Sequence, residues 1–356
     1  MLFTTIIFIL SLVLLVVIHE FGHFIMAKKF GIKVEEFGFG IPPRLFGKKI
    51  GETLVSINWL PLGGFVRLLG EDEIDSKVLK NPRSFAAHPV KERIIVVAAG
   101  VVMNILLAWV LFYIVIIAGN FKIFHPGIEL SVYIAETVDN FPAQKAGLKS
   151  GDQLLKIDDQ KITGVEQAVG IIKSKDGLSV TLEIKDASGE NKILKLTPQK
   201  ADNGDKIVGV LFGMSSLKEY KTLPEKIFSG VSYSWDLTKL TFAGLGQLLH
   251  NLVAGEFQTA SQSVSGPVGL ATASNSILKV GMLPYAWFLG LISLTLAIFN
   301  VLPIPALDGG RLFFLFIEAI FGKKLKAETE RLIHSVGFAI LISLSLLVAF
   351  SDIRKL

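Results

Sequence analysis

Two histidines and a glutamate lie within five positions of the first apolar segment, in the run His19-Glu20-Phe21-Gly22-His23. On a helix, residues four apart project from one face, so both imidazoles can bind a single metal ion. Glu20 is then close enough to reach a water molecule on that ion. In this motif the two histidines hold zinc and the glutamate acts as a general base. The alternative is a pair of histidines packed against polar groups, and it is disfavoured because ionisable residues inside an apolar helix are costly and tend to mark function.

A catalytic zinc ion needs a third protein ligand and keeps its fourth position for water. The chain has no cysteine, so the ligand must come from His, Asp, Glu or Asn. The run Asn300-Val-Leu-Pro-Ile-Pro-Ala-Leu-Asp308-Gly-Gly310 breaks a later apolar segment, because two prolines interrupt a helix and two glycines allow tight backbone geometry. Alone, Asp308 would also suit the cap of a kinked helix end. Together with the histidine motif, it is the candidate third ligand. The remaining histidines lack a supporting pattern: His88, His125, His250 and His334.

Composition predicts where this chemistry takes place. Apolar residues make up 51% of the 356 residues and charged residues only 19%, with a net charge of +5. This balance excludes soluble and disordered classes and favours a membrane protein. The absence of cysteine also excludes a disulfide framework and thiol catalysis. Four apolar stretches approach or exceed the roughly 20 residues that a spanning helix needs, namely residues 2–27, 94–118, 282–302 and 333–350. The first has no preceding basic residue and no cleavage site, so we expect a retained span.

Basic residues predict the orientation of the spans. Of the 36 Lys and Arg residues, 12 lie in residues 28–93 and 5 lie between the third and fourth stretches. Short basic loops remain on the cytoplasmic side, whereas long loops largely escape this rule. We therefore expect both short loops to be cytoplasmic. The long region 119–281 and both termini are expected to face outward.

The long outward region contains two kinds of pattern. Within residues 125–213, short β-branched runs such as Leu178–Ile184 alternate with Gly, Asp and Asn turns, which indicates a compact β-rich domain. Residues 222–265 carry apolar side chains at helical spacing with a thin polar face. This pattern indicates one or two amphipathic helices that lie on the membrane or on the spans.

Three intramembrane motifs together resemble the site-2 proteases, zinc enzymes that cut the transmembrane helices of other proteins. They are the histidine motif, the run Gly100-Val-Val-Met-Asn104 and the Asn300–Gly310 run. The closer match is the bacterial RseP-type group, and the resemblance covers essentially the whole chain. Further matching segments are Gly38–Gly40, Pro61–Val66, Ser84–Arg93 and Gly266–Gly269.

The resemblance implies zinc as the cofactor, His19, His23 and Asp308 as its ligands, and Glu20 as the catalytic base. It also implies that Asn104 and Asn300 are polar residues near the site, with roles left open. The implied substrates are single-span membrane proteins, such as anti-sigma factors or remnant signal peptides. Nucleic acid is not among the expected partners.

Residues 143–158 resemble part of a PDZ module, and the surrounding pattern predicts a strand at 132–137, a helix from Pro142 and a second strand at 154–157. PDZ modules hold extended peptides by adding a strand to a sheet edge. A size-excluding cap without peptide affinity is the alternative. We find one such module, whereas several RseP-type relatives have two, which places in doubt any filtering scheme that needs a tandem pair.

Residues 34–69 contain short apolar runs between Gly and Pro residues, which suggests a β-hairpin or small sheet beside the site. An edge strand there could pair with an unwound substrate, because a helix hides its carbonyl groups in its own hydrogen bonds. A simple surface or re-entrant loop is the alternative.

The predicted fold is an α-helical polytopic membrane protein of four transmembrane helices, with a PDZ-like extracytoplasmic domain and a small cytoplasmic-side β element. Its parts are residues 1–118, 125–213, 222–265 and 266–356, in a bacterial cytoplasmic membrane. The predicted function is intramembrane zinc proteolysis. A metal transporter is a rival, because intramembrane His and Asp also mark ion pathways. An inactive scaffold with a peptide-binding outer domain is the other.

Overall fold

The computed structural model describes residues 2–71, 75–125, 132–175, 178–186, 189–200, 206–214, 216–256, 259, 266–322 and 327–355. The chain forms two compact units, Met1–Ala118 with Phe228–Leu356, and Gly119–Ile227. The domain limits predicted at 125 and 213 lie inside the second unit and stay predictions. Parts of two predicted segments, 126–131 and 260–265, lie outside the described residues.

The first unit is mostly helical. It begins with helix α1 (Leu2–Lys29), strands β1 (Val34–Ile50) and β2 (Thr53–Leu68), the short helix α2 (Ser76–Leu79) and helix α3 (Val90–Ala118). It resumes after the second unit with α7 (Ser229–Val253), α8 (Pro267–Val280), α9 (Met282–Val301), α10 (Asp308–Phe321) and α11 (Ala327–Lys355).

Among the described residues, four helices are long and apolar enough to cross a membrane, and they are α1, α3, α9 and α11. This confirms the four predicted spans. Helices α8 and α10 were not predicted. The break that the Asn300–Gly310 run predicts lies between α9, which ends at Val301, and α10, which begins at Asp308. A carboxylate in the first turn of a helix interacts favourably with the positive end of the helix dipole.

Helix α3 is central to the first unit and packs against α1, α7, α9 and α10. Close approach to α1 depends on Gly22, where a Cβ atom would overlap the backbone carbonyl of Ala99. One buried apolar cluster joins α1, the β1–β2 sheet, α3 and α10. Its members are Ala27, Ile32, Val34, Leu68, Phe85, Val96, Val97, Leu312 and Leu315. The two helices that carry the candidate ligands are thus held by one core.

Strands β1 and β2 are longer than the short runs that the sequence suggested, and both are bent. Residues 34–39 pair antiparallel with residues 64–68 on one side and with residues 54–57 on the other. Residues 44–50 pair with residues 53–58. The hairpin therefore folds on itself into a small sheet, in which residues 64–68 form one edge.

The second unit is built on an antiparallel sheet. The helices of this unit are α4 (Pro142–Lys145), α5 (Val165–Ser174) and α6 (Leu223–Ile227). The strands are β3 (Lys122–His125), β4 (Val132–Thr137), β5 (Gln153–Ile157), β6 (Gln160–Lys161), β7 (Val180–Lys185), β8 (Asn191–Leu196), β9 (Gln199–Lys200), β10 (Lys206–Ile207), β11 (Val210–Met214) and β12 (Ser216–Glu219). The strand order of the sheet is β11-β4-β5-β7-β8, and β6 pairs with β5. Apolar residues of the sheet and of α5 form one buried core. The predicted β-rich character is confirmed.

Candidate metal centre

Two histidines of α1 and the first residue of α10 converge on one point. Nε2 of His19 lies 2.9 Å from Oδ2 of Asp308, and Nε2 of His23 lies 3.3 Å from the same oxygen. The two Nε2 atoms are 3.2 Å apart. His19 is buried, with 8% of its surface exposed. Among the described residues, this is the group of His, Asp and Glu side chains that could hold a metal ion.

The geometry of these three atoms fits zinc. Ligand atoms about 2.0–2.1 Å from a tetrahedral zinc ion lie roughly 3.3 Å from one another. The observed separations of 2.9–3.3 Å are close to that value. Two imidazole nitrogens and one carboxylate oxygen also form a ligand set typical of catalytic zinc, which leaves one position open.

The second ring nitrogen of each histidine, Nδ1, faces a polar group of α3. Nδ1–H of His23 donates to the backbone oxygen of Val96 at 2.9 Å. Nδ1 of His19 lies 3.3 Å from the side-chain amide of Asn104. Val96 and Asn104 both belong to α3, so α3 orients the two rings. The Val96 carbonyl can only accept, so it fixes His23 in the tautomer that leaves the Nε2 lone pair available to a metal. At His19 the facing atom is the amide nitrogen of Asn104, and the amide oxygen supports the same tautomer once the amide group is rotated.

Helix α3 also leaves room for the rings. A Cβ atom at Gly100 would lie within 2.7 Å of both imidazoles. Real Cβ atoms do not approach ring atoms so closely, so a side chain at this position would displace the candidate ligands. The Gly100–Asn104 segment was singled out from sequence only through resemblance, and its packing against the histidines supplies a physical reason for the glycine.

Asp308 is presented by a tight turn between α9 and α10. Leu302 is extended, and the N–H of Ile304 donates to its carbonyl oxygen at 2.6 Å. Ala306 has a φ of +75°, a left-handed conformation that is uncommon outside glycine. Gly309 and Gly310 pass so close to the preceding backbone that a Cβ atom on either would clash with it. The two prolines and two glycines therefore build the turn that directs Asp308 toward α1.

A cavity of about 890 Å³ opens beside these residues, and its lining includes Glu20, His23 and Asp308. Phe65, Val66 and Leu68 of the sheet edge also line it. An ion pair between Arg311 and Glu71 joins α10 to the end of the sheet at the cavity wall. Glu20 therefore shares one cavity with two candidate ligands, His23 and Asp308, and with an edge strand.

Of the two asparagines that the resemblance implies to lie near the site, one contacts a candidate ligand and the other has no such contact described. Asn104 contacts His19 as described, whereas Asn300 is half-buried near the end of α9, and its described contacts do not include the three candidate ligands. Two features escaped sequence reasoning. The Arg311–Glu71 pair joins residues 240 positions apart, and His334 accepts a hydrogen bond from the Ala306 backbone. Neither has a local sequence signal.

Comparisons with known proteins identify the family. The model of Peptidase family M50 matches residues 7–344. A Clostridium perfringens protein, provisionally named as a zinc metalloprotease, is 38% identical over 95% of this chain and 95% of its own length. The regulator of sigma-W protease RasP from Bacillus subtilis is 29% identical, with 99% of each chain covered. The solved PDZ domain of an SdrC-like protein from Listeria monocytogenes matches 23% of this chain and 85% of its own, at 23% identity and a TM-score of 0.21. This chain belongs to peptidase family M50, and it is a zinc metalloprotease of a bacterial membrane.

Proposed function

We propose that this protein hydrolyses a peptide bond within the transmembrane segment of single-span membrane proteins. In this proposal His19, His23 and Asp308 hold zinc, and Glu20 is the general base. The observation that carries it is the convergence of three ligand atoms from α1 and α10, all within 4.8 Å of one another, beside Glu20 in one cavity. Because α1 is a membrane-spanning helix, the reaction would take place within the membrane.

The residues around the site divide the chemical work. When held there, zinc polarises the scissile carbonyl group and makes a nearby water molecule more acidic. Glu20 accepts a proton from the attacking water at its carboxylate and then donates it to the leaving amide nitrogen. Asn104 and the Val96 carbonyl keep the two imidazoles in the orientation that the ligand role requires.

The sheet edge supports an extended substrate. A transmembrane helix holds its carbonyl groups in internal hydrogen bonds, so the segment to be cut must first unwind. Residues 64–68 form an edge strand, and three of them line the cavity that contains Glu20. An unwound segment can pair with such an edge through its backbone. We therefore assign substrate alignment to this strand.

The positions of the Lys and Arg residues support an orientation of the chain in the membrane. The basic loop at 28–93 and the basic segment after α9 belong on the cytoplasmic side, and the second unit then lies outside the cell. The Bacillus subtilis relative is named for control of sigma-W, which makes a membrane-anchored regulator of a sigma factor a natural substrate class. A peptide-binding or size-excluding role of the second unit remains part of this proposal.

The test compares wild type with Glu20→Gln in one detergent preparation, using single-span reporter proteins. We expect wild type to cleave the reporter within its span, and we expect Glu20→Gln to retain zinc but lose cleavage. Asp308→Asn should lose zinc as well. Full activity in Glu20→Gln would overturn the assignment of the base. Metal flux into sealed vesicles without any proteolysis would instead favour a transporter.

A further inference from the structure

The turn before Asp308 is held by a side chain from another membrane-spanning helix. The backbone N–H of Ala306 donates a hydrogen bond to Nδ1 of His334 at 2.9 Å. His334 belongs to α11, the fourth span, and lies 28 positions later in the chain. Ala306 is the residue with the left-handed φ of +75°. Such a conformation costs free energy outside glycine and persists only where the surroundings hold it.

A second contact on the same face of α11 reinforces this one. Gly337 lies one turn after His334, and a Cβ atom there would lie within 2.9 Å of the backbone carbonyl group of Pro305. His334 and Gly337 thus contact consecutive residues, Ala306 and Pro305. The ring of His334 also lies edge-on to Phe314 of α10, with ring centroids 5.8 Å apart. One face of α11 therefore contacts both the turn that presents Asp308 and the helix that follows this turn.

Helix α11 is otherwise weakly packed. Within its apolar stretch, only 6% of the residues are buried inside the protein, compared with 28% for α1 and α3 and 44% for α9. Near its far end, Asp352 accepts a hydrogen bond from the backbone N–H of Gly269 at 2.8 Å. Among the described residues, α11 packs against α8, and the Pro305–Ala306 turn is a second place at which it meets the rest of the protein.

We infer that His334 is a positioning residue for Asp308, acting through the backbone of Ala306. This inference rests on the proposed role of Asp308 as a zinc ligand. His334 fixes the left-handed residue two positions before Asp308, and so fixes the direction in which the carboxylate enters the space between His19 and His23. The hydrogen bond requires an acceptor at Nδ1, which an imidazole with its proton on Nε2 supplies.

Two substitutions separate the hydrogen bond from packing. His334→Asn retains an acceptor near the position of Nδ1, whereas His334→Leu fills similar space but cannot accept. We expect His334→Leu to bind zinc about 10-fold or more weakly, in the range found for outer partners of metal ligands. The rate of zinc loss to a chelator should rise, and kcat should fall with KM little changed. His334→Asn should keep most of the wild-type zinc affinity and most of the wild-type kcat. Ser343→Ala serves as the control on α11, because the hydrogen bond described for its hydroxyl goes to the Ala339 carbonyl in its own helix.

The outcomes keep this inference apart from the proposed function. Wild-type affinity for zinc in His334→Leu would overturn the inference and leave the protease assignment intact. An equal loss of zinc in His334→Leu and His334→Asn, with equal drops in the Tm of the zinc-free proteins, would also overturn it, since the side chain would then serve packing alone. Failure of the wild-type protein to bind zinc or to cleave the reporter would count against the proposed function itself.

Discussion

The side-chain amide of Asn104 lies 3.3 Å from Nδ1 of His19, and the backbone oxygen of Asn104 accepts a hydrogen bond from Ser293 at 2.9 Å. Asn104 therefore connects a candidate zinc ligand on α1 with two other spans, α3 and α9. An amide can turn either its oxygen or its nitrogen toward the ring. It presents the oxygen when Nδ1 carries the proton, which is the tautomer that leaves Nε2 of His19 available to zinc.

Replacing Asn104 should weaken zinc binding. Asn104→Leu preserves volume but leaves Nδ1 of His19 without this partner, so the ring is no longer held in one tautomer and one orientation. We expect zinc affinity to fall by about 10- to 100-fold, measured by competition with a chelator. Asn300→Leu is the matched comparison, because Asn300 has no described contact with His19, and it should retain zinc. Equal affinities for Asn104→Leu and wild type would rule out this role.

A methyl group at Gly100 should disrupt the same centre sterically. In Gly100→Ala the added carbon would lie within 2.7 Å of both imidazoles, so at least one ring must move. We expect loss of bound zinc and of reporter cleavage, with zinc content measured on purified protein. Gly244→Ala on α7 is the control, because a Cβ atom there meets no described atom within 4 Å. Normal zinc content in Gly100→Ala would mean that α3 is further from the rings than the structure places it.

The sequence predicted those parts of the molecule that have a local signal. The 20-residue apolar runs predict the spans, and the four-residue spacing of His19 and His23 predicts one shared helix face. What the sequence left open depends on distant partners. The prolines of the Asn300–Gly310 run showed that the helix breaks, but they did not show that a new helix begins at Asp308. The hydrogen bond from Ala306 to His334 has no pattern within either segment, so only the fold reveals it.

The ion pair between Arg93 and Glu318 should make a measurable contribution to stability. It is bidentate, with N–O distances of 3.1 and 2.5 Å, and the two side chains are only 6% and 16% exposed. Removing one partner of a buried pair leaves an uncompensated charge, at a cost of about 3–5 kcal/mol. We expect Arg93→Met to lower the free energy of unfolding by about 3 kcal/mol in denaturant titrations.

The double variant makes this prediction specific. In Arg93→Met/Glu318→Met neither charge is left buried alone, so the loss should be smaller than in Arg93→Met. Lys239→Met on α7 is the comparison with an exposed cation, because 55% of the Lys239 side chain is exposed in its pair with Asp236, against 6% for Arg93. This partly solvated pair should contribute at most about 1 kcal/mol. If the two substitutions lower the free energy of unfolding additively, so that the double variant loses the sum of the two single losses, the two residues do not act as a pair.

Acid should remove the contribution that ionised Glu52 makes to the stability of the folded protein. Glu52 lies in the turn between β1 and β2. Arg83 and then Lys28 hydrogen-bond its carboxylate, at 2.6 and 2.7 Å, and they lower its pKa to about 2. An unfolded glutamate titrates near about 4.3, so the folded state favours the ionised form. The contribution is therefore complete above about pH 4.3 and lost as the pH falls toward 2.

We expect the difference in Tm between wild type and Glu52→Gln to be constant at neutral pH and to shrink across this window. The Tm values are measured without zinc, so that metal release plays no part. It should also shrink at high salt, because the three side chains are partly exposed. A difference that stays constant from pH 5 down to about 2.5 would show that this cluster does not lower the pKa of Glu52.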